Sequence, residues 1–301
     1  MDGTASITAL MSAFGRAFHA ENEPNPIFND SKVRELITDG EYEAIGKYIL
    51  GGIDFFAPEK KGSFKSDGEA LQFLVNTQIA PTPVARSRFC EDSLKTAVLT
   101  GTKQYVILGA GMDTFAFRNP DFMKKYKVFE VDHPLTQADK KERIKRAKLE
   151  IPDNLFYVSA DFSKDSLKEK LTEAGFDASE KTFFSWLGVS YYLSVEQIEA
   201  MLDDVADLSA EGSSLVFDYA DENLFSSDVK RIKNMIAMAA AGAEPMKSCF
   251  GCAELEKLLE KHGFLIYELM TPQDIQARFF GGQSNYLSAF EHINYVTAVF
   301  K

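Results

Sequence analysis

In the stretch YVILGAGMDTFAF, Tyr105 to Phe117, an apolar run turns on two glycines one residue apart and then meets an acid at Asp113. Gly109 and Gly111, with Ala110 between them, permit a tight turn and let backbone N–H groups come close to a ligand. A second carboxylate, Asp132 of Glu130-Val-Asp132, stands about 20 residues beyond Gly111, where a strand-end acid accepts from both hydroxyls of a ribose. The pair therefore points to a ribose-bearing nucleotide. A dinucleotide asks for more. The third glycine of G-x-G-x-x-G would fall at position 114, which is Thr114, and Asp113 would repel a pyrophosphate. The same carboxylate can instead accept a hydrogen bond or meet an ammonium or sulfonium group. G-x-G-x-D followed by E-x-D thus favours S-adenosylmethionine over NAD.

Other chemistry-bearing residues carry less. Cys249-Phe-Gly-Cys252 is half of a zinc site or a redox dithiol, but no second C-x2-C exists and His262 is the only nearby histidine, so no metal is expected. Lys140 to Lys148 holds six basic residues in nine, interleaved with Glu142, Ile144 and Ala147. That run reads as the solvated face of an amphipathic helix rather than a phosphate site. His133 follows Asp132 and reads as a loop residue beside the ligand. His19, His292, Tyr191 and Tyr192 form the pool from which a general base would come, without a ranking; the catalytic residue is not assigned.

The elements that must position these groups follow from periodicity. The first hundred residues read as helical, over Thr8–Ala20, Ser31–Asp39, Glu41–Phe56, Glu69–Ile79 and Pro83–Leu99, with prolines between several of them. From Gln104 short β-rich runs alternate with helical stretches. The runs are Tyr105–Leu108, Lys127–Val131, Leu155–Ser159, Thr182–Trp186 and Ser214–Tyr219, and between them lie Leu135–Leu149, Ser166–Ala174 and Ser194–Leu208. Ser194 with Gln197 makes a capping-box signature. After Asp221 come a Met- and Ala-rich helix over Ser227–Ala241, a helix Ala253–His262, a strand Phe264–Met270, a short helix at Pro272 and a last strand Ile293–Phe300. This alternation argues for an α/β fold: a parallel sheet, apolar on both faces, with helices on either side.

The chain of 301 residues is 45% hydrophobic and 26% charged, enough for one large domain or a domain with a cap. A formal net charge of −12 makes nucleic acid and anionic membrane surfaces poor partners. No segment approaches a membrane span, and the N-terminus lacks the basic start of a signal peptide. Three cysteines cannot build a disulfide framework, so a cytoplasmic location is expected.

Taken together, V-I-L-G-A-G-M-D-T, V-F-E-V-D-H-P and the W-x-G-V-x-Y-Y-L of Trp186 to Leu193 resemble the leucine carboxyl methyltransferase family, including its bacterial polyketide O-methyltransferase-like members. The likeness covers nearly the whole chain: ITALMSAFGRAFHAENEPNPIFND is similar to the family's N-terminal helix, and AGAEPMKSCF and ELEKLLEKHGFLIYE to its late lid and its helix-strand pair. The resemblance implies a Rossmann-like class I methyltransferase with a seven-stranded, mostly parallel sheet, its last strand antiparallel, and a helical N-terminal cap. It implies a cap and substrate region over residues 1–84, and an S-adenosylmethionine-binding domain over 85–301 with a lid insertion near 222–250. Laid on this sequence, it implies that Arg86, or its rival Arg88, grips the methionine carboxylate of the cofactor, an end that Arg can hold bidentately. Arg16 can reach the same group. Gly109, Ala110, Gly111 and Asp113 form the cofactor loop, Asp132 the ribose acid, and His133 adjoins it. Asp161 and Phe162 border the adenine. Asp161 is also a candidate N-cap, since Asp161-Phe-Ser-Lys precedes a helix.

Two departures stand out. The family's Trp-Glu-Gly-Val is Trp186-Leu187-Gly188-Val189 here, so Leu187 replaces a carboxylate. Its D-T-R is Asp113-Thr114-Phe115. The expected reaction is O-methylation of a carboxylate or hydroxyl on a small apolar or aromatic acceptor. An NAD(P)-dependent oxidoreductase and a non-catalytic S-adenosylmethionine-binding module are the alternatives.

Overall fold

The structure, a computed structural model, describes residues 6–162, 164–242, 244–282 and 285–301. Among the described residues six α-helices precede the first strand: α1 (Ile7–Asn22), α2 (Ser31–Leu36), α3 (Asp39–Gly51), α4 (Ile53–Phe56), α5 (Asp67–Leu74) and α6 (Pro81–Leu99). Local chemistry sets their breaks. The expected helix Ser31–Asp39 stops at Leu36 because Thr38 and Glu41 form a capping box that starts α3. The expected helix Glu41–Phe56 is divided at Gly51–Gly52. The turn after Leu74 widens into a π-helical turn over Val75–Ile79, and α6 begins at Pro81, where a missing N–H costs nothing.

Strands and helices then alternate: β1 (Gln104–Leu108), α7 (Phe115–Arg118), α8 (Pro120–Met123), β2 (Lys127–Asp132), α9 (Pro134–Ala147), β3 (Leu155–Ser159), α10 (Leu167–Glu173), β4 (Thr182–Trp186), α11 (Val195–Asp207) and β5 (Ser214–Ala220). The chain continues with α12 (Lys230–Ala241), α13 (Cys252–Lys261), β6 (Phe264–Met270), α14 (Pro272–Ile275) and β7 (Ile293–Phe300). The seven strands form one sheet in the order β3-β2-β1-β4-β5-β7-β6. Pairs among β1 to β5 are parallel, and β7 runs antiparallel to both β5 and β6. Strand order reverses between β1 and β4, and that switch point is where an open α/β sheet leaves a crevice for ligand.

Every residue of β1, β4 and β5 is buried, because both faces of the sheet are covered. Alternation divides them. Tyr105, Ile107, Phe183 and Val216 pack with α1, α6 and the other N-terminal helices. Val106, Leu108, Phe184, Trp186 and Phe217 pack with α10, α11 and α13. The N-terminal helices therefore share one apolar cluster with a face of the sheet, and α6 runs unbroken through residues 84 and 85.

Helix α9 corrects the reading of its basic run as one solvated face. Lys140 is buried and pairs with buried Glu130 on β2 at 2.5 Å. Arg143 is buried as well, bonding Glu41, Asp139 and the Leu36 carbonyl, so the helix is clasped to α2 and α3. Burial pushes Glu130 up to about 7 against the pull of Lys140. The exposed face keeps Lys141, Lys145, Arg146 and Lys148. Among the described residues no helix is long and apolar enough to cross a membrane.

Candidate active site

The crevice at the carboxyl ends of β1, β2 and β4 opens into a cavity of about 1910 Å³. Every residue that the sequence nominates for cofactor lines it, except Arg88. Arg88 is exposed, pairing with Asp92 at 2.8 Å and bonding the Ile27 carbonyl. Two residues apart on a helix face roughly 200° away from each other, so only one of the pair can look into the crevice.

Gly109 and Gly111 both take positive φ, 70° and 49°. A Cβ at Gly109 would stand 2.8 Å from Val189 Cγ2, and one at Gly111 would stand 3.2 Å from the Ala9 Cβ of α1. The corner is thus held between the end of β4 and the first helix, with room for backbone alone. The N–H of Gly111 donates to Asp132 Oδ2 at 2.5 Å, and that of His133 to Asp132 Oδ1 at 2.7 Å. Each carboxylate oxygen keeps a lone pair for a further donor. Burial raises the Asp132 pKa above the ordinary carboxylate value, against those two backbone donors.

Asp113 turns back on its own chain, its Oδ1 accepting the N–H of Phe115 at 2.7 Å. The helix it opens, α7, has four residues. A phosphate at a helix N-terminus uses the free N–H groups and the positive dipole end. Here a carboxylate already takes that place. Thr114 is buried, donating to Asp30 and accepting from Arg118 Nε at 2.9 Å. Asp30, the N-cap of α2, also pairs with Arg16 Nε at 2.9 Å. Arg16 Nη2 donates to the Met112 carbonyl at 2.6 Å. Arg16 therefore ties α1 to the glycine corner, and its charge is met by Asp30.

Arg86 reaches the crevice from α6. Its Nη1 donates to Tyr191 Oη at 3.0 Å and to Asp218 Oδ2 at 3.1 Å. Both of its side-chain hydrogen bonds among the described residues leave from Nη1, so Nε and Nη2 remain for an anion. A Cβ at Gly188 would lie 2.4 Å from Nη1 and Nη2, which gives the glycine of W-x-G-V a physical reason. Burial opposes the charge on Arg86, but Tyr191 and Asp218 outweigh it and its pKa rises.

Asp218 escaped the sequence reading. It sits in β5, wholly buried, and accepts the Gly188 N–H at 2.6 Å as well as Arg86. Its signal was a lone acid inside the apolar strand SLVFDYA, since a buried charge needs a partner. Glu244 was missed too. Its carboxylate spans back to α1, accepting from Ser6 Oγ at 3.2 Å and from Thr8 Oγ1.

Phe162 and Leu187 line the cavity, both partly buried. Asp161 Oδ2 pairs with Lys164 at 2.7 Å in a turn before α10. It does not cap that helix: the N-cap is Ser166, which accepts from Glu169 N, because the helix starts only at Leu167. His133 Nδ1 accepts from Leu135 N at 3.3 Å and caps α9.

The proposed pool of bases divides. Tyr191 and Tyr192 line the cavity, and His19 and His292 do not. His19 is buried, accepts the Ile27 N–H on Nε2, and is pushed by burial down to about 4. His292 pairs with Asp221 at 2.9 Å. Burial pushes Tyr192 up to about 12 and raises Tyr191 well above the usual phenol value, so both stay protonated near neutrality. Cys249 and Cys252 are free thiols, the latter opening α13.

Comparison with known proteins agrees with this geometry. A family model described as leucine carboxyl methyltransferase matches residues 9–206. YktD of Bacillus subtilis (strain 168), whose name proposes an S-adenosyl-L-methionine-dependent methyltransferase, is 45% identical over 300 residues, 99% of this chain and 98% of that protein. A Parafrankia sp. (strain EAN1pec) protein whose name proposes the same activity is 32% identical over 235 residues, 77% of this chain and 69% of its own. Among solved structures, a DUF574 family protein from Streptomyces avermitilis superposes with a TM-score of 0.56 at 16% identity, covering 85% of this chain and 96% of its own. A proposed methyltransferase from Thermobifida fusca YX gives 0.54 at 15%, covering 100% and 96%. At such identities the likeness shows the fold alone.

Proposed function

This chain belongs to the leucine carboxyl methyltransferase family, and from that premise we propose that it is an S-adenosylmethionine-dependent O-methyltransferase acting on a carboxylate of a small molecule. The observation that carries the reading is the corner itself. Gly109 and Gly111 leave room only for backbone, Asp132 waits across from them with free lone pairs, and Asp113 fills the helix end that a pyrophosphate would need. Asp132 would hold the ribose hydroxyls. Arg86, through Nε and Nη2, would hold the methionine carboxylate, with Asp161 and Phe162 beside the adenine. When bound, S-adenosylmethionine supplies a methyl group on a sulfonium sulfur, open to direct displacement by an oxygen nucleophile.

What the chain adds is alignment and a dry site. A carboxylate is already ionised at neutral pH, whereas an alcohol or phenol needs a base. Of the four histidines only His133 lines the cavity, and it sits beside Asp132. The two cavity tyrosines hold their protons. This favours a carboxylate over a hydroxyl acceptor. The protein acts in the cytoplasm on a small molecule rather than on nucleic acid or a membrane.

Calorimetry with S-adenosylmethionine, S-adenosylhomocysteine and NADPH tests the reading, followed by tritiated methyl transfer to a panel of acids and phenols. Binding of the two sulfur compounds and labelling of acids is expected. NADPH binding without adenosylmethionine binding would establish the oxidoreductase instead. Binding without turnover on any acceptor would leave a binding module.

A further inference from the structure

Resting on that reading of the site, we propose that the methyl acceptor carries a long apolar tail, which lies between α1, α3–α4 and α12 and leaves the protein past Tyr48 and Phe55. Three observations converge on it. The first is size. The cavity, about 1910 Å³, is well above the roughly 300–1,000 Å³ that a single drug-sized ligand occupies. A nucleoside-sized cofactor on the glycine corner leaves about as much space again.

The second is the lining of that remaining space. Leu10 and Met11 of α1, Ile45 of α3, Phe56 of α4, and Met235 and Met238 of α12 all line the cavity. These six offer carbon and sulfur rather than the N–H and C=O partners a peptide chain needs, so the surface they form suits a hydrocarbon chain, with Lys47, Gln78 and Glu244 among the polar groups elsewhere in the lining. Thioether side chains adapt to irregular apolar shapes, which suits a flexible tail.

The third is the rim. Ile7, Tyr48 and Phe55 come from three different helices and are 61%, 74% and 46% exposed, yet all three line the same cavity. Scattered exposed apolar residues need no explanation, but three that are exposed and also line one cavity mark where an apolar body can pass.

The test uses the full chain. Tritiated methyl transfer is measured over a series of straight-chain alkanoic acids, and calorimetry in the presence of S-adenosylhomocysteine is run on the matching alkyl amides, which are not substrates for esterification. The expected result is a rise of roughly fourfold in kcat/KM per added methylene until the chain reaches solvent, with amide affinity rising in the same order. A Tyr48→Ser/Phe55→Ser double variant, altered only at exposed positions, should keep its response to short acids and lose the advantage of the longest ones. If acids are not methylated but amide affinity still climbs with length, the carboxylate reading fails and the tail stands. Affinity and turnover independent of length, or preference for a short peptide acid, would overturn the tail. So would a double variant that changes self-association while its length dependence stays intact, since the rim would then be a surface between copies of the chain.

Discussion

Replacing Asp132 by alanine should separate cofactor binding from folding. In the structure its two oxygens each accept one backbone N–H, from Gly111 at 2.5 Å and from His133 at 2.7 Å, and each keeps a further lone pair on a residue that lines the cavity. Asp132→Ala removes the acceptors offered to a ribose and also leaves two backbone N–H groups without their acceptor. A lost charge-assisted hydrogen bond costs about 1.5–3 kcal/mol, and part of that is recovered here because water can enter the empty crevice. The expected loss of affinity for S-adenosylhomocysteine is therefore about 1–3 kcal/mol, or about 5- to 150-fold. Asp132→Asn keeps one acceptor oxygen but turns an amide N–H2 toward either Gly111 or His133, so its loss should be nearly as large. Isothermal calorimetry gives the affinities, and thermal unfolding of the free proteins shows how much the corner itself is loosened. Unchanged affinity in Asp132→Ala would refute the placement of the ribose, whatever happened to the melting temperature.

Other outcomes follow from the same contacts. Gly188→Ala would put a methyl group 2.4 Å from the Arg86 guanidinium and force φ near +72° on a residue with a side chain, a strain of about 1–2 kcal/mol. Cofactor affinity should fall, and a crystal structure of the variant should show Arg86 moved off Asp218. Lys140→Met leaves Glu130 buried without its partner and should destabilise the fold by about 3–5 kcal/mol in urea titration, while adding Glu130→Gln should restore most of the loss. His19 is held down to about 4 against an ordinary value of 6.5, so the folded chain keeps it neutral while the unfolded chain protonates it. Its contribution is complete above pH 6.5 and is lost as pH falls from 6.5 toward 4. The wild-type melting temperature should drop across that window, and a His19→Gln variant, which can still accept the Ile27 N–H, should drop less.

The sheet was legible because its strands are short, apolar on both faces and separated by helical periods. Burial on both sides makes YVIL and TFFSW read as strands without any partner in view. The tight glycine corner and the strand-end position of Asp132 were legible for a similar reason, since both depend on backbone freedom and on where a strand stops. What could not be read was anything decided across the fold. Arg86 and Arg88 lie on one helix, and only the packing of α6 decides which one faces the crevice. Asp218 stands in a strand that reads as apolar, and its partners come from α6 and from the turn after β4. Lys140 looked like part of a solvated basic face because Glu130, its partner, was read only as the first acid of the E-x-D motif. The contact of Glu244 with Ser6 and Thr8 joins residues more than two hundred positions apart, which no local pattern reports. The helices Ser31–Asp39 and Glu41–Phe56 were misplaced at their ends, where the Thr38–Glu41 capping box and the Gly51–Gly52 pair overrode the apolar rhythm.

The central claim is that the first strand-to-helix corner and the carboxylate at the end of the next strand hold an adenosyl sulfur compound. A crystal structure grown with S-adenosylhomocysteine tests it most directly. The account predicts the ribose hydroxyls on Asp132, the amino-acid carboxylate on Arg86 and no nucleotide phosphate near Asp113. An empty corner in those crystals, with a nicotinamide nucleotide seated there in a parallel soak, would contradict it.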